Sequence, residues 1–154
     1  MPTLTRADVE HALLRELIAE ELTREAEGAV LTWARENATI VLPTEGRQPF
    51  RPYAYQESLL TDRATRRLIL KARQTGISNA VAIEALHKAI TRPDSTELFV
   101  SRNQDAASVL IRYCQTTLNN LTHPPKLVNE NMSRLVFPNG SRIKLVGLDK
   151  NPNG

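Results

Sequence analysis

Eight consecutive residues, Lys71-Ala72-Arg73-Gln74-Thr75-Gly76-Ile77-Ser78, have types and spacing suited to holding a phosphate. Successive backbone N–H groups and the positive end of a following helix together make an anion site. Gly76 lets the backbone approach an oxyanion closely. Ser78 falls in the first turn of that helix, where its hydroxyl suits Mg2+. Compared with G-x-x-x-x-G-K-[ST], the stretch keeps the second glycine and the hydroxyl, but has Lys71 for the first glycine and Ile77 for the lysine. The lysine of that pattern works as a compact point charge. A loop curled around phosphates brings its ends together, so Lys71 can aim where position 77 normally does. At a separation of about 4 Å and an effective dielectric of about 20, one such pair is worth about 4 kcal/mol before desolvation. Arg73 supplies a second cation, with fork geometry suited to a γ-phosphate and to stabilising its transfer. The same octet also fits a plain strand-to-helix turn with a serine cap and solvated basic residues, and alone it does not choose between the two.

The elements needed to position the loop are legible on either side. Arg67-Leu68-Ile69-Leu70-Lys71 reads as a buried strand, and Gly76-Ile77-Ser78 opens an alanine-rich helix to about Ile90. Residues 97–101 form the next strand and 104–121 the next helix. Residues 134–137 and 142–146 then make a hairpin around Asn139-Gly140. Strands alternating with helices predict an α/β fold with a largely parallel sheet. Upstream, Ala38–Leu42 is a β-branched strand, and the prolines at 49 and 52 keep residues 48–53 extended before a short helix near Tyr55. The N-terminal segment reads as helix, with a capping box at Thr5–Asp8 and an apolar stripe through Val9, Leu13, Leu17, Leu22, Ala26, Val30 and Trp33. A break at Gly28 is expected, and the stripe is expected to dock on the domain's own core in preference to a partner protein.

Composition bounds the function. The 154 residues suffice for one compact domain, and 41% apolar with 24% charged residues argues against disorder. No run is long enough for a membrane helix and no secretory signal is visible, so a cytoplasmic location is expected. Cys114 is the single cysteine, which excludes an internal disulfide, and His11, His87 and His123 lack metal-ligand spacing. Residues 1–45 carry nine acids and four bases, whereas residues 46–154 carry eight acids and sixteen bases. A basic part of that size suits DNA or nucleotide phosphates, and equally a solubilising surface.

Taken together, Phe50-Arg51-Pro52-Tyr53-Ala54-Tyr55-Gln56, the octet 71–78, and Leu98-Phe99-Val100-Ser101-Arg102-Asn103-Gln104 resemble the ATPase region of phage terminase large subunits. That family carries an aromatic–glutamine motif ahead of its P-loop, and here Gln56 precedes Lys71 by fifteen residues. Its P-loops often read (S/A)-R-Q-x-G-(K/I/Y)-(S/T), and some begin with the lysine. A hairpin with an N-G-S-type turn comes after it, a place filled by Asn139-Gly140-Ser141. The resemblance spans about residues 48–154.

It implies a P-loop NTPase fold of the RecA-like (ASCE) kind, a partial parallel sheet with flanking helices behind an N-terminal amphipathic segment. The corresponding division is residues 1–45 and 46–154. ATP and Mg2+ would be the cofactors. Gln56 would read the adenine, and Tyr55 or Tyr53 would stack on it. Lys71, Ala72, Arg73, Gln74, Thr75, Gly76 and Ile77 would hold the phosphates and Ser78 the metal, with Arg73 at the γ-phosphate. Arg102 and Gln104 would couple nucleotide to DNA, although solvated loop residues fit them as well. Partners would be double-stranded DNA, a terminase small subunit and a portal protein, in a homo-oligomeric ring with no membrane. The setting would be the cytoplasm of a phage-infected or prophage-carrying bacterium. The family's Walker B strand and nuclease domain would lie beyond Gly154, since no apolar strand here ends in paired acids. The P-loop strand would be left poorly paired, and these residues alone would hydrolyse ATP negligibly. Other readings are a helicase-like DNA translocase, and a non-catalytic prophage remnant that binds nucleic acid or a partner protein.

Overall fold

A computed structural model of the chain describes residues 6–62 and 64–148. Its first element, α1 (Arg6–Asn37), is one unbroken helix. A single glycine costs a helix about 1 kcal/mol against alanine, and Gly28 sits among Ala26, Glu27, Ala29 and Leu31, so the expected break does not occur. The cap at Thr5 lies outside the described residues, as do the side chains of Val9, Leu22 and Ala26. The apolar stripe divides. Val30 and Ala34 are buried with Trp33 against the body of the protein, whereas Leu13, Leu14, Leu17 and Ile18 are more than half exposed.

After α1, β1 (Thr39–Leu42) pairs antiparallel with β2 (Gly46–Pro49), so residue 45 falls in the turn of a hairpin. The short helix α2 (Ala54–Thr61) and the helix α3 (Ile77–Thr91) come next. A four-stranded sheet is then assembled from β3 (Thr96–Ser101), β4 (Asn129–Asn131), β5 (Arg134–Val136) and β6 (Arg142–Gly147), with α4 (Gln104–Leu118) between β3 and β4. Strand order is β3-β6-β5-β4. Only β3 and β6 run parallel; β5 pairs antiparallel with both β6 and β4, so the sheet is mixed and not largely parallel. The chain turns back at Asn139-Gly140 and again at Asn131–Ser133, and each tight turn fixes an antiparallel pair. The protein is thus mixed α/β, a small sheet with helices on one face.

Two apolar clusters share α3. On one side Ala82, Leu86 and Ala89 meet Ile111, Cys114, Phe99, Leu135 and Ile143. On the other, Ala80 and Ile83 meet Val30, Phe50, Leu59 and Leu60. Asn139 fastens the far end of α3 by donating from Nδ2 to the carbonyls of Ala89 and Ile90 at 3.0 and 3.2 Å, and the Ser141 hydroxyl donates to the Arg92 carbonyl at 2.6 Å. The Asn-Gly-Ser turn therefore ties the sheet to α3 as well as closing a hairpin.

The largest departure from the sequence reading is at 67–71, which is no strand. Leu68 and Leu70 are fully exposed, and the backbone groups of Leu68–Lys71 make no hydrogen bond with the described residues. An apolar run becomes a strand only beside another strand that takes its N–H and C=O groups, and none among the described residues lies beside it. What holds the segment is Arg67. Its guanidinium donates to both Glu84 oxygens at 3.0 and 2.9 Å and to the Leu59 carbonyl at 2.8 Å, while Lys88 binds Glu84 at 2.9 Å.

Replacing Arg67 by alanine leaves the buried Glu84 with one cation and is expected to cost about 1–3 kcal/mol. Leu70→Ser, which the buried-strand reading would make severe, should change stability by no more than about 0.5 kcal/mol. Urea titration of both variants checks the pair.

His87, buried on α3 with its ring edge to Trp33 at 5.4 Å, has no partner for Nδ1 among the described residues. Burial, then the charges of Arg92 and Lys88, hold its pKa below the usual 6.5, with Glu84 opposing. The unfolded chain therefore takes up this proton at higher pH than the folded one, so stability is full above 6.5 and falls as pH drops below it. The expected result is that Tm declines on acidification from about pH 7 toward about pH 5, and that His87→Gln removes that part of the slope; an unchanged slope would show that another group is responsible.

Candidate nucleotide-binding site

The loop before α3 is anchored through a single carbonyl. Thr75 O accepts from the Tyr55 hydroxyl at 2.7 Å and from Gln56 Nε2 at 3.3 Å. Gln56 is buried, and its Oε1 accepts from the Tyr53 amide at 2.9 Å, so one side chain caps α2 and grips the loop. An amide has two N–H groups and two lone pairs, so one of each remains.

Between these anchors the backbone turns sharply. Gln74 has φ 59° and Gly76 has φ 71°, both left-handed. Glycine is required at 76 for a second reason, since a Cβ there would lie 2.5 Å from Gln56 Nε2. Gly76 is also the N-cap of α3, with no side-chain cap, and the first turn of the helix carries no acid. The amide N–H groups of Arg73 to Asn79 have no acceptor among the described residues. Unclaimed donors at the start of a fifteen-residue helix are the physical basis of an anion site.

A cleft of about 550 Å3 adjoins part of this row. Gln74, Thr75, Gly76 and Asn79 line one wall, Arg51, Tyr53 and Gln56 another, and the β1–β2 hairpin a third. Tyr53 stacks on Tyr55 with ring centroids 5.6 Å apart and leaves its outer face exposed.

The predicted residues are distributed unevenly about this cleft. Gln56, Gln74, Thr75 and Gly76 border it. Tyr55, Lys71, Ala72 and Ile77 instead line a second groove, of about 410 Å3, between α2 and residues 69–72. Of the two candidate tyrosines, Tyr53 and not Tyr55 is thus the one on the cleft, which Phe50 and Tyr113 also line. Lys71 and Arg73 are exposed, with no hydrogen bond or ion pair among the described residues. Ile77 is buried beside Phe50 and Leu59, a place where a lysine would bury its charge, which explains an apolar residue at that position. Ser78 is half-buried at the first turn of α3, its hydroxyl unpartnered among the described residues. Arg102 is exposed and does not border the cleft. Gln104 accepts from the Gly147 amide at 3.2 Å, fastening α4 to the end of β6. No group of three or more His, Cys, Asp or Glu residues suited to a metal occurs among the described residues.

Arg51, Asn79, Glu45 and Tyr113 are among the cleft residues that sequence reasoning passed over. Asn79 stands directly after Ser78, within the first turn of the helix, and that spacing was the available signal. Compared with protein-family models and with curated proteins, the chain matches none.

Gly76→Ala is expected to destabilise the protein by more than the ~1–2 kcal/mol of a left-handed alanine, because the added methyl also strikes Gln56. Adding Gln56→Ala should recover the steric part and leave the backbone part. A double-mutant cycle by urea denaturation reads this directly, and strictly additive effects would show that the two residues do not meet.

Proposed function

We propose that the cleft takes the phosphates of ATP and that the chain is the nucleotide-binding part of a terminase-like motor for double-stranded DNA. The observation carrying this reading is the uncapped start of α3, where Gln74, Thr75, Gly76 and Asn79, whose amides are unclaimed among the described residues, line a nucleotide-sized cleft. Phosphate oxygens would accept from those amides and lie against the positive end of α3. Ser78 would contribute its hydroxyl to the accompanying Mg2+.

Lys71 and Arg73 are long, exposed and uncommitted, so an anion is free to draw both toward the loop. With the phosphates so placed, the base would extend toward Gln56, whose spare N–H and lone pair match an adenine edge, and toward the open face of Tyr53. Any ligand in this cleft is also registered by α2, because Thr75 is held by Gln56 and Tyr55. The basic bias of residues 46–154 suits the DNA backbone. A terminase small subunit, a portal and a ring of copies are the partners this reading brings with it.

Phosphoryl transfer to water needs a group that orients the water and a full metal shell. Glu45 is the one carboxylate on the cleft wall among the described residues, and it sits in the hairpin turn. The proposed activity is therefore binding, with negligible turnover by these residues alone. No described helix is long and apolar enough to cross a membrane.

Calorimetric titration of the chain with Mg2+-ATP tests the proposal. Saturable binding is expected, weakened about tenfold or more by Lys71→Ala, the loss of one close charge pair. Equal affinities would remove Lys71 from the site, and no binding by the wild type would overturn the nucleotide reading.

A further inference from the structure

One face of the four-stranded sheet is uncovered. Phe99, Ile143 and Leu145 face the helices and are buried, so alternation turns Leu98, Val100 and Val146 the other way, where they are 44–55% exposed. Leu148 extends the patch beyond β6 and is 66% exposed. The same alternation and register put Arg142, Lys144 and Arg134 beside these apolar residues, with Lys144 opposite both Leu98 and Arg134. The result is an apolar strip with a basic flank, and nothing among the described residues packs over it.

A surface of this kind matches an acidic helix with an apolar stripe, and the chain carries one. Leu13, Leu14, Leu17 and Ile18 of α1 recur at helical spacing and are 52–59% exposed. Between residues 8 and 27 the sequence has seven carboxylates and two arginines. At about 1.5 Å per residue, Leu17 stands about 24 Å from Trp33, where α1 meets the body of the protein. Because α1 is continuous, this stripe does not fold back onto its own sheet without breaking the helix.

We infer that the N-terminal half of α1 docks on the open sheet face of a second copy of the chain. Pairing α1 with α1 would set acids against acids, whereas α1 on the sheet sets them against Arg134, Arg142 and Lys144, so charge selects the second arrangement. Such a contact is head-to-tail: each copy offers a helix to one neighbour and a sheet to another, and the contact closes into a ring or extends as a filament. Nothing in this contact depends on what occupies the cleft before α3.

Sedimentation velocity over a concentration series, with the complete chain, tests it. The wild type is expected to associate, and added salt should weaken the association. Leu14→Ser/Leu17→Ser and Val100→Ser/Val146→Ser alter exposed positions only, and circular dichroism should report an unchanged fold. Each variant alone should associate about tenfold more weakly or not at all. Mixing the two should restore a dimer, since one still supplies an intact sheet and the other an intact helix. If the sheet variant unfolds, Lys144→Glu replaces it. A wild type that stays monomeric at every concentration would overturn the inference. So would a sheet variant that associates as well as the wild type, which signals helix–helix pairing, or a mixture that gives no dimer.

Discussion

Burial on both sides of α3 is the constraint on which the other features depend. Ala80 and Ile83 are covered by the hairpin, α2 and the end of α1, while Ala82, Leu86 and Ala89 are covered by α4 and the sheet. A helix enclosed in this way must be small-sided if its neighbours are to come close, and five of its fifteen residues between Ile77 and Thr91 are alanine or serine. Once α3 is fixed, so is the position of its N-terminus. Amides there lose their helical partners by geometry, and Gln74, Thr75, Gly76 and Asn79 line the cleft. The far end is held equally firmly, by Asn139 and Ser141 from the sheet.

Against that rigid helix, the loop depends on very few contacts. Thr75 O receives two donors from α2, and Gly76 is the residue that lets Gln56 approach without a clash. Around it Gln56, which caps α2 and holds the loop, is buried, while Tyr55, Lys71 and Arg73 are exposed. A backbone held in place beside uncommitted cations suits a ligand that brings its own negative charge. Without a ligand, two such cations held together on one loop would repel.

Polar groups inside the body follow a different rule. Glu84 is tolerated because Arg67 and Lys88 both reach it. His87 makes no such pair at Nδ1 among the described residues, and burial, then the nearby cations, hold its pKa below the usual 6.5. Cys114, on the opposite cluster, behaves as a small apolar residue, its thiol pushed up to about 12 by burial. These polar residues thus serve packing.

Helices α2, α3 and α4, the strands β1, β3, β5 and β6, and the Asn139-Gly140 turn were legible in the sequence, because each is specified by local periodicity or turn chemistry. So was the turn within 71–78 that leads into α3, since its glycine and the helix that follows lie within eight residues. What the sequence left open was decided by contacts between distant segments. Arg67–Lys71 is apolar enough for a strand, yet strand identity belongs to a pair, and no described residue supplies the pairing. Of the two tyrosines, only the packing of α2 on the loop put Tyr53 on the cleft and turned Tyr55 to Thr75. The stripe on α1 is continuous in sequence but divided in space, buried at Val30 and exposed at Leu17, because burial depends on what stands opposite a residue and not on its own hydrophobicity.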